Sequence, residues 1–305
     1  MPQAITFEGV QGVSRNHPIV AVTGSSGAGT STVKDAFEHV FRREGTNAAV
    51  IEGDSFHRYN RAEMKIAMAE ATEKGNLDFS HFGPDANLFS DIENLFKTYG
   101  ETGSGKRRLY LHNDEEAAAY DGVGSGEFTP WEDIPEQTDL LFYEGLHGGV
   151  VTAGVNVAQY VDLKIGVVPV INLEWIQKIH RDTSQRGYSG EAVMDTILRR
   201  MHDYVHHIIP QFKSSDINFQ RVPIVDTSDP IIARDIPTPD ESLVVIRFRS
   251  PDDFGVEFPY LLQMIQNSWM SRRNSIVVPG GKMGLAMELI LPPILRQLMA
   301  GKARK

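Results

Sequence analysis

Residues 19–44 pass from a short β-branched run through a glycine turn into a helical pattern, and few folds accept that order. Ile19-Val20-Ala21-Val22-Thr23 reads as a buried strand. Val33, Phe37, Val40 and Phe41 follow at helical spacing and stop at Gly45, a C′ glycine by position. Between them, Gly24-Ser25-Ser26-Gly27-Ala28-Gly29-Thr30-Ser31 has the glycine spacing of G-x-x-x-x-G-K-[ST], with Thr30 where lysine belongs. A strand, a glycine turn and a helix N-terminus aim backbone N–H groups and the positive dipole end at a phosphate. A second segment, Gly100-Glu101-Thr102-Gly103-Ser104-Gly105-Lys106-Arg107, has the lysine but puts Arg107 at the hydroxyl position. It follows a helix-like Leu95-Phe96-Lys97 and opens a polar, glycine-rich stretch, so it reads as a surface loop. The first segment is therefore the expected nucleotide site, and another cation must replace its missing lysine.

The chain of 305 residues suits one large α/β unit or two domains. A hydrophobic share of 41% and a charged share of 23% fit a globular protein. No apolar run reaching the roughly 18 residues of a membrane span stands out. Met1-Pro2-Gln3-Ala4 lacks the basic and apolar regions of an export signal, so a cytoplasmic location is expected. A net charge of −10 argues against non-specific nucleic-acid binding and requires a local basic pocket for any anionic substrate. With no cysteine, disulfides, thiolate metal sites and thiol switching are excluded.

Strand patterns fall at 19–23, 48–51, 140–143, 163–170, 222–225, 243–248 and 275–278. Helical patterns fall at 30–44, 55–74, 85–98, 172–182, 190–208, 258–268 and 283–300. This rhythm predicts an α/β fold, a mostly parallel sheet with helices on both faces. Residues 100–138 interrupt it with Gly-Xaa-Gly repeats, mixed charges and Pro130, an irregular excursion holding a small hairpin around Leu109-Tyr110-Leu111. The whole chain, 1–305, is read as one domain.

Four groups carry chemistry. Ser31 in the phosphate loop is a candidate Mg²⁺ ligand. Glu52-Gly53-Asp54 ends a strand, and His57, Arg61 and Lys65 follow Asp54 at intervals of three, four and four, one face of a helix headed by an acid. Such a stripe suits a sugar phosphate, the cations holding phosphate while the carboxylate takes a hydroxyl proton. The alternative is a solvated face with an N-capping Asp54. Glu144 ends the strand 140–143 where a second Mg²⁺ contact is expected, the alternative being a simple strand cap. Lys178, Arg181, Asp182 and Arg186 form the last group, either a surface ion-pair network or the source of the missing cation, with Lys178 the candidate.

His180-Arg181-Asp182 and Asp253-Phe254-Gly255 spell protein-kinase signatures without the neighbours that give them meaning. His202 and His206 have zinc-type spacing but lack the intervening glutamate, and read as a packed or solvated pair. Arg247 and Arg249 alternate with apolar residues, and Arg272 and Arg273 follow Trp269; these arginines suit a nucleotide effector site or a charged edge strand.

Together these segments resemble the phosphoribulokinase family, in its shorter bacterial class, within the uridine kinase-like superfamily. The resemblance rests on Gly24–Thr32, Glu52–Arg58, Phe142–Gly148, Lys164–Asp182, Asp216–Arg221 and Ser268–Arg272, and covers the chain from about residue 17. Thr30 is similar to that class's own form of the loop. The resemblance implies a P-loop kinase fold with a mostly parallel or mixed sheet. It also implies ATP-dependent phosphorylation of the C1 hydroxyl of D-ribulose 5-phosphate to ribulose 1,5-bisphosphate, a Calvin-cycle step. By matching position, Asp54 is implied as general base, and His57, Arg61, Lys65 and Arg186 as sugar-phosphate contacts. Lys178, Arg181 and Asp182 are implied at the transfer centre. Gly24, Ser25, Ser26, Gly27, Ala28, Gly29, Thr30, Ser31 and Thr32 are implied to bind ATP, with Ser31 and Glu144 on its Mg²⁺. Which of Asp54 and Asp182 is base and which helps the metal stays open. The class further implies a homo-oligomer regulated by NADH and AMP; the cysteine-dependent thioredoxin control of the plant class is excluded. The competing readings are a uridine-kinase-like nucleoside kinase, for which Arg61, Lys65 and Arg186 would have no phosphate, and a nucleotide-binding regulator without catalysis.

Overall fold

A computed structural model describes residues 17–25, 30–184, 187–233 and 235–303. The strands of the main sheet are β1 (Ile19–Gly24), β2 (Ala48–Glu52), β3 (Leu140–Gly145), β4 (Leu163–Val168), β5 (Ile217–Pro223), β6 (Ser242–Phe248), β7 (Trp269–Arg272) and β8 (Ser275–Pro279). Among the described residues they form one sheet in the order β2-β3-β1-β4-β5-β6-β8-β7. The first five are mutually parallel and the remaining pairings antiparallel, so the sheet is mixed. Parallel pairing needs crossovers, and α1 (Thr30–Glu44), α2 (Arg61–Glu73), α3 (Phe89–Thr102), α4 (Ile171–Ser184), α5 (Gly190–Asp203) and α6 (Ile209–Ser214) lie in them. Two further helices, α7 (Phe258–Met264) and α8 (Met283–Ala303), follow in the antiparallel half.

The unbroken apolar runs of β1 and β3 follow from burial on both faces. Val20, Val22, Leu140 and Phe142 enter one core with Val33, Phe37 and Phe41 of α1 and Met287, Ile290 and Leu291 of α8. Their alternates Ile19, Ala21, Leu141 and Tyr143 enter a second core with Ile92, Phe96 and Tyr99 of α3. Phe142 anchors the first core, its ring 4.8 Å from Phe37 and 5.4 Å from Phe41.

Several boundaries differ from the sequence patterns. The helix expected from 55 starts at Arg61, because Asn60 accepts from the amides of Ala62 and Glu63 while Glu63 returns a bond to the Asn60 amide. Asp54 therefore caps no helix; it lies in a 3₁₀ turn, Gly53–Phe56, and His57 is extended and bridged to Asn87. The pattern at 190–208 ends at Asp203 and widens into a π turn, Tyr204–Ile208, ahead of Pro210, whose missing amide hydrogen breaks the α ladder. Strand β5 starts at Ile217, five residues before the apolar run that suggested it, since polar Asn218 and Gln220 alternate with buried Ile217 and Phe219. β7 was missed because three of its four residues are exposed. The excursion does hold small antiparallel pairings, Lys106–Arg107 with Glu132–Asp133 and Tyr110 with Phe128. Contrary to expectation, α8 with its preceding turn is by length and composition apolar enough to span a membrane; its Met287, Ile290, Leu291, Ile294 and Leu295 are buried in the first core.

Replacing Phe142 by Ala removes the ring that joins α1 to the sheet. The expected loss is about 3–5 kcal/mol of unfolding free energy, read from the midpoint of a urea denaturation curve.

Candidate functional site

All five parallel strands point their carboxyl ends to one side, where open α/β sheets place ligands. β1 ends in Gly24 and the buried Ser25, and Thr30, Ser31 and Thr32 open α1. Ser26, Gly27, Ala28, Gly29 and Arg186 lie outside the described residues. The rival segment is no phosphate loop in outline. Its Gly100 and Thr102 complete α3, Gly103 caps that helix at φ 71°, and Lys106 pairs with Asp133.

β2 and β3 end in contact. A Cβ on Gly53 would sit 2.5 Å from the Tyr143 hydroxyl and 2.9 Å from the Gly145 Cα, so both turns need glycine. The register pairs Glu52 with Glu144, bringing two carboxylates side by side. Lys34 of α1 meets Glu52 at 2.6 Å. Burial alone would lower the Lys34 pKa, but the bond and charge of Glu52, with the charge of Glu144, raise it. Lys34 was not singled out from the sequence; its only signal is its position one helical turn after Ser31.

Asp54 follows this junction, its side chain 41% exposed. His57 Nε2 lies 3.3 Å from one carboxylate oxygen and His112 Nε2 3.8 Å from the other. Desolvation on its packed side acts against ionisation, yet the imidazoles of His57, His112 and His81 outweigh it and hold the carboxyl below its ordinary range. The excursion grips the same turn. Arg108 donates to the carbonyls of Ser55 and His57 at 2.8 and 2.7 Å, its guanidinium stacked 3.7 Å from the Phe128 ring. Arg61 donates to the His112 carbonyl at 2.7 Å, and Lys65 is exposed one turn further along α2. The four residues of the expected stripe share no helix face: Asp54 and His57 lie on the turn or just after it, Arg61 and Lys65 on α2. His112 and Arg108 escaped the sequence reading because they sit some fifty residues away in an irregular segment.

The helix α4 supplies the second half of the site. Asp182 accepts from Lys178 and, at 3.0 Å, from Arg181 Nε. Burial would raise the Asp182 pKa, but these two cations lower it. Burial, then the charge of Arg200, brings Lys178 down to about 8 against the opposing pull of Asp182. One turn earlier, Glu174 accepts a hydrogen bond from the Ser25 hydroxyl, tying α4 to the phosphate loop. Burial pushes Glu174 up to about 6. A small cavity of about 20 Å³, room for about one water, lies beside Glu174, Lys178 and Arg200. Neither Glu174 nor Arg200 was singled out from the sequence.

The C-terminal arginines lie elsewhere. Arg247 on β6 is opposite Ser275 on β8, which is opposite Arg272 on β7, so the two arginines are two strands apart. Arg247 donates to the Phe212 carbonyl at 3.1 Å and lines a cleft of about 520 Å³ with Tyr204, Phe212 and Lys213. Arg249 instead pairs with buried Asp216. The rings of His202 and His206 stack at 4.3 Å, and no cluster of three or more metal-ligating His, Cys, Asp or Glu occurs among the described residues.

Residues 19–228 match the family model of the phosphoribulokinase / uridine kinase family. The chain is 64% identical over 290 residues to a phosphoribulokinase of Nitrobacter vulgaris, covering 95% of this chain and 99% of that protein. It is likewise 64% identical over 292 residues to the chromosomal phosphoribulokinase of Cupriavidus necator, covering 96% and 99%. The solved phosphoribulokinase from Rhodobacter spheroides superposes with a TM-score of 0.87 at 58% identity, covering 94% of this chain and 99% of that one.

The raised Glu174 carboxyl makes a pH-dependent contribution to stability. Its pKa rises from 4.5 unfolded to about 6 folded, so the fold favours the protonated form; that contribution is complete below pH 4.5 and lost as pH rises through 6. Glu174→Gln keeps an acceptor for Ser25 and removes the titration. Relative to the parent, the variant is expected to gain on the order of 2 kcal/mol between pH 4.5 and 7.5, measured by paired denaturation curves at the two pH values.

Proposed function

The chain belongs to the phosphoribulokinase/uridine kinase family, and we propose that within its reaction Asp54 is the general base. The reaction is ATP-dependent phosphorylation of D-ribulose 5-phosphate at its C1 hydroxyl, giving ribulose 1,5-bisphosphate for the Calvin cycle. The relatives named above, matched over nearly the whole chain, support this over a nucleoside kinase. The cations Arg61 and Lys65 of α2, with Arg61 bonded to the His112 carbonyl, favour the same choice, since a nucleoside brings no phosphate to pair with them.

The difference in exposure between the two aspartates supports Asp54 as the base. The Asp54 side chain is 41% exposed, whereas the Asp182 carboxylate is 6% exposed and occupied by Lys178 and Arg181. Asp54 takes the proton of the C1 hydroxyl. The freed oxygen bonds to the γ-phosphorus as the bond to the β–γ bridging oxygen breaks, and ADP leaves with that electron pair. Lys178 and Arg181 face the charge that develops on the transferring group, and Asp182 holds both cations in register. Ser25 and Glu174 tie their helix to the phosphate loop.

Mg²⁺ fits the donors at the β2–β3 junction. Glu52 and Glu144 are hard oxygen donors, and Lys34 bonds Glu52. Glu144 with the Ser31 hydroxyl would hold the ion, the small donor set that Mg²⁺ takes when nucleotide phosphates complete its shell. Bound there, it would neutralise phosphoryl charge. The reading extends to a nucleotide effector such as NADH or AMP at the Arg247 cleft, where Arg247 and Lys213 flank aromatic Tyr204 and Phe212, and to a cytoplasmic homo-oligomer.

A coupled ADP-release assay with D-ribulose 5-phosphate, uridine or no acceptor tests the acceptor, and turnover only with the sugar phosphate is expected. In the same assay Asp54→Asn lowers kcat on the order of 10²–10⁴-fold with ATP binding intact. Retention of more than roughly a tenth of kcat moves the base elsewhere. Lys178→Met is expected to lower kcat more than it weakens either substrate; direct ATP titration beside kcat separates the two effects, and a variant altered only in affinity removes Lys178 from the transfer step.

A further inference from the structure

Asp203 ends α5 with a buried side chain turned onto the strap of chain between α2 and α3. The buried Ser80 hydroxyl donates to its Oδ2 at 2.8 Å and accepts from the Phe82 amide at 3.2 Å. A backbone N–H can only donate, which leaves the single hydrogen of the hydroxyl for the carboxylate. Three residues on, a Cβ at Gly83 would strike the same group, 2.8 Å from its Cγ, so glycine is what lets Asp203 lie this close to the strap. The other carboxylate oxygen is 3.4 Å from His202 Nδ1. Burying a carboxylate is costly unless hydrogen bonds offset it, and here the strap supplies one.

From Asp203 the strap runs to the turn that bears Asp54. The buried Asn87 gathers it, donating from Nδ2 to the carbonyls of His81 and Gly83 at 2.8 and 2.6 Å, with its Oδ1 2.8 Å from His57 Nδ1. The Arg58 amide donates to the Ala86 carbonyl at 2.8 Å, and the Leu88 amide to the Phe56 carbonyl at 2.9 Å. Between these ends, the Phe82 carbonyl accepts from His147 Nε2 at 3.0 Å. The Phe82 ring packs in a third core with Leu146, Tyr204 and Ile208, lies 5.0 Å from the Arg200 guanidinium and lines the cavity beside Lys178. One strap therefore touches both halves of the site. We propose that Asp203 is a positioning residue for phosphoryl transfer: through Ser80 it fixes the strap that seats His57 against the helix α5 that helps enclose Lys178. The separation of the acceptor half from the cation half is then set by one buried hydrogen bond. The proposal rests on the phosphoryl-transfer reading above and deepens it. A misplacement of about 1 Å far from the reacting atoms can cost on the order of 10²-fold in rate, so loss of this tie is felt in kcat.

The test compares variants that break the tie with one that keeps it. Ser80→Ala removes the donor, Asp203→Ala removes the acceptor, and Asp203→Asn keeps an acceptor of the same shape. Urea denaturation of each variant fixes conditions in which it is fully folded, so that a lowered kcat is not a lowered folded fraction. Ser80→Ala and Asp203→Ala are each expected to lower kcat roughly tenfold or more, with ATP affinity, titrated directly, within about threefold of the parent. Asp203→Asn is expected to stay within about threefold of the parent in kcat, and the double variant Ser80→Ala/Asp203→Ala to lose no more than the worse single variant. Ser80→Ala deletes one oxygen atom and decides the outcome even where Asp203→Ala does not fold. A Ser80→Ala enzyme within about threefold of the parent kcat overturns the proposal. So do an Asp203→Asn enzyme as impaired as Asp203→Ala, losses that multiply in the double variant, or a loss of ATP affinity in place of kcat. The base assignment fails separately, by turnover persisting in Asp54→Asn, and that result leaves these comparisons readable.

Discussion

Everything at the centre of this protein depends on how closely two strand ends approach. Gly53 and Gly145 meet where a single added carbon would strike the Tyr143 hydroxyl or the facing backbone. That approach sets Glu52 beside Glu144 at the carboxyl edge of the sheet, with Asp54 on the turn that follows. Lys34 answers the charge of the two glutamates, and the imidazoles of His57 and His112 answer that of Asp54. The apolar cores on both faces of the sheet supply the rigidity that keeps this charged junction together.

The second constraint is the burial of α4's charges. Taking Lys178 and Asp182 out of water costs several kcal/mol per ion before their attraction offsets it. Their pairing keeps the lysine charged in a place where an unpartnered ammonium would shed its proton, although burial still draws it down to about 8. Glu174 extends the arrangement to Ser25, so the helix carrying the cations is bonded to the strand that carries the phosphate loop. A cation on a neighbouring helix is thus anchored to the loop whose own lysine is Thr30.

The long excursion between α3 and β3 is part of the site. Its Arg108 holds two carbonyls of the turn that bears Asp54, and its His112 faces the same carboxylate. Asn87, from the segment just before α3, sets the orientation of His57. Thus the groups around the Asp54 carboxylate come from three separate stretches of chain, each braced by hydrogen bonds to backbone atoms.

Much of this was legible in the residues themselves. The strand–glycine–helix order at 19–44 specified α1 to the residue and, with the alternating rhythm, the two-faced parallel core, because hydrophobic periodicity is a local signal. Asp54, Glu144, Lys178 and Asp182 stood out because strand ends and helix spacing place them predictably. The stripe from Asp54 to Lys65 did not form, since Asn60 and Glu63 start the helix later and the glycine contact holds Asp54 in a tight turn. The antiparallel edge was hidden by exposed residues in β7 and alternating polar residues in β5. Sequence alone determined most of the elements and the acids and cations that end them, because those follow from neighbours a few residues apart. Only the tertiary structure decided that Lys34, Asn87, Arg108, His112, Glu174 and Arg200 join them, because contacts between residues far apart in the chain depend on packing that no local pattern encodes.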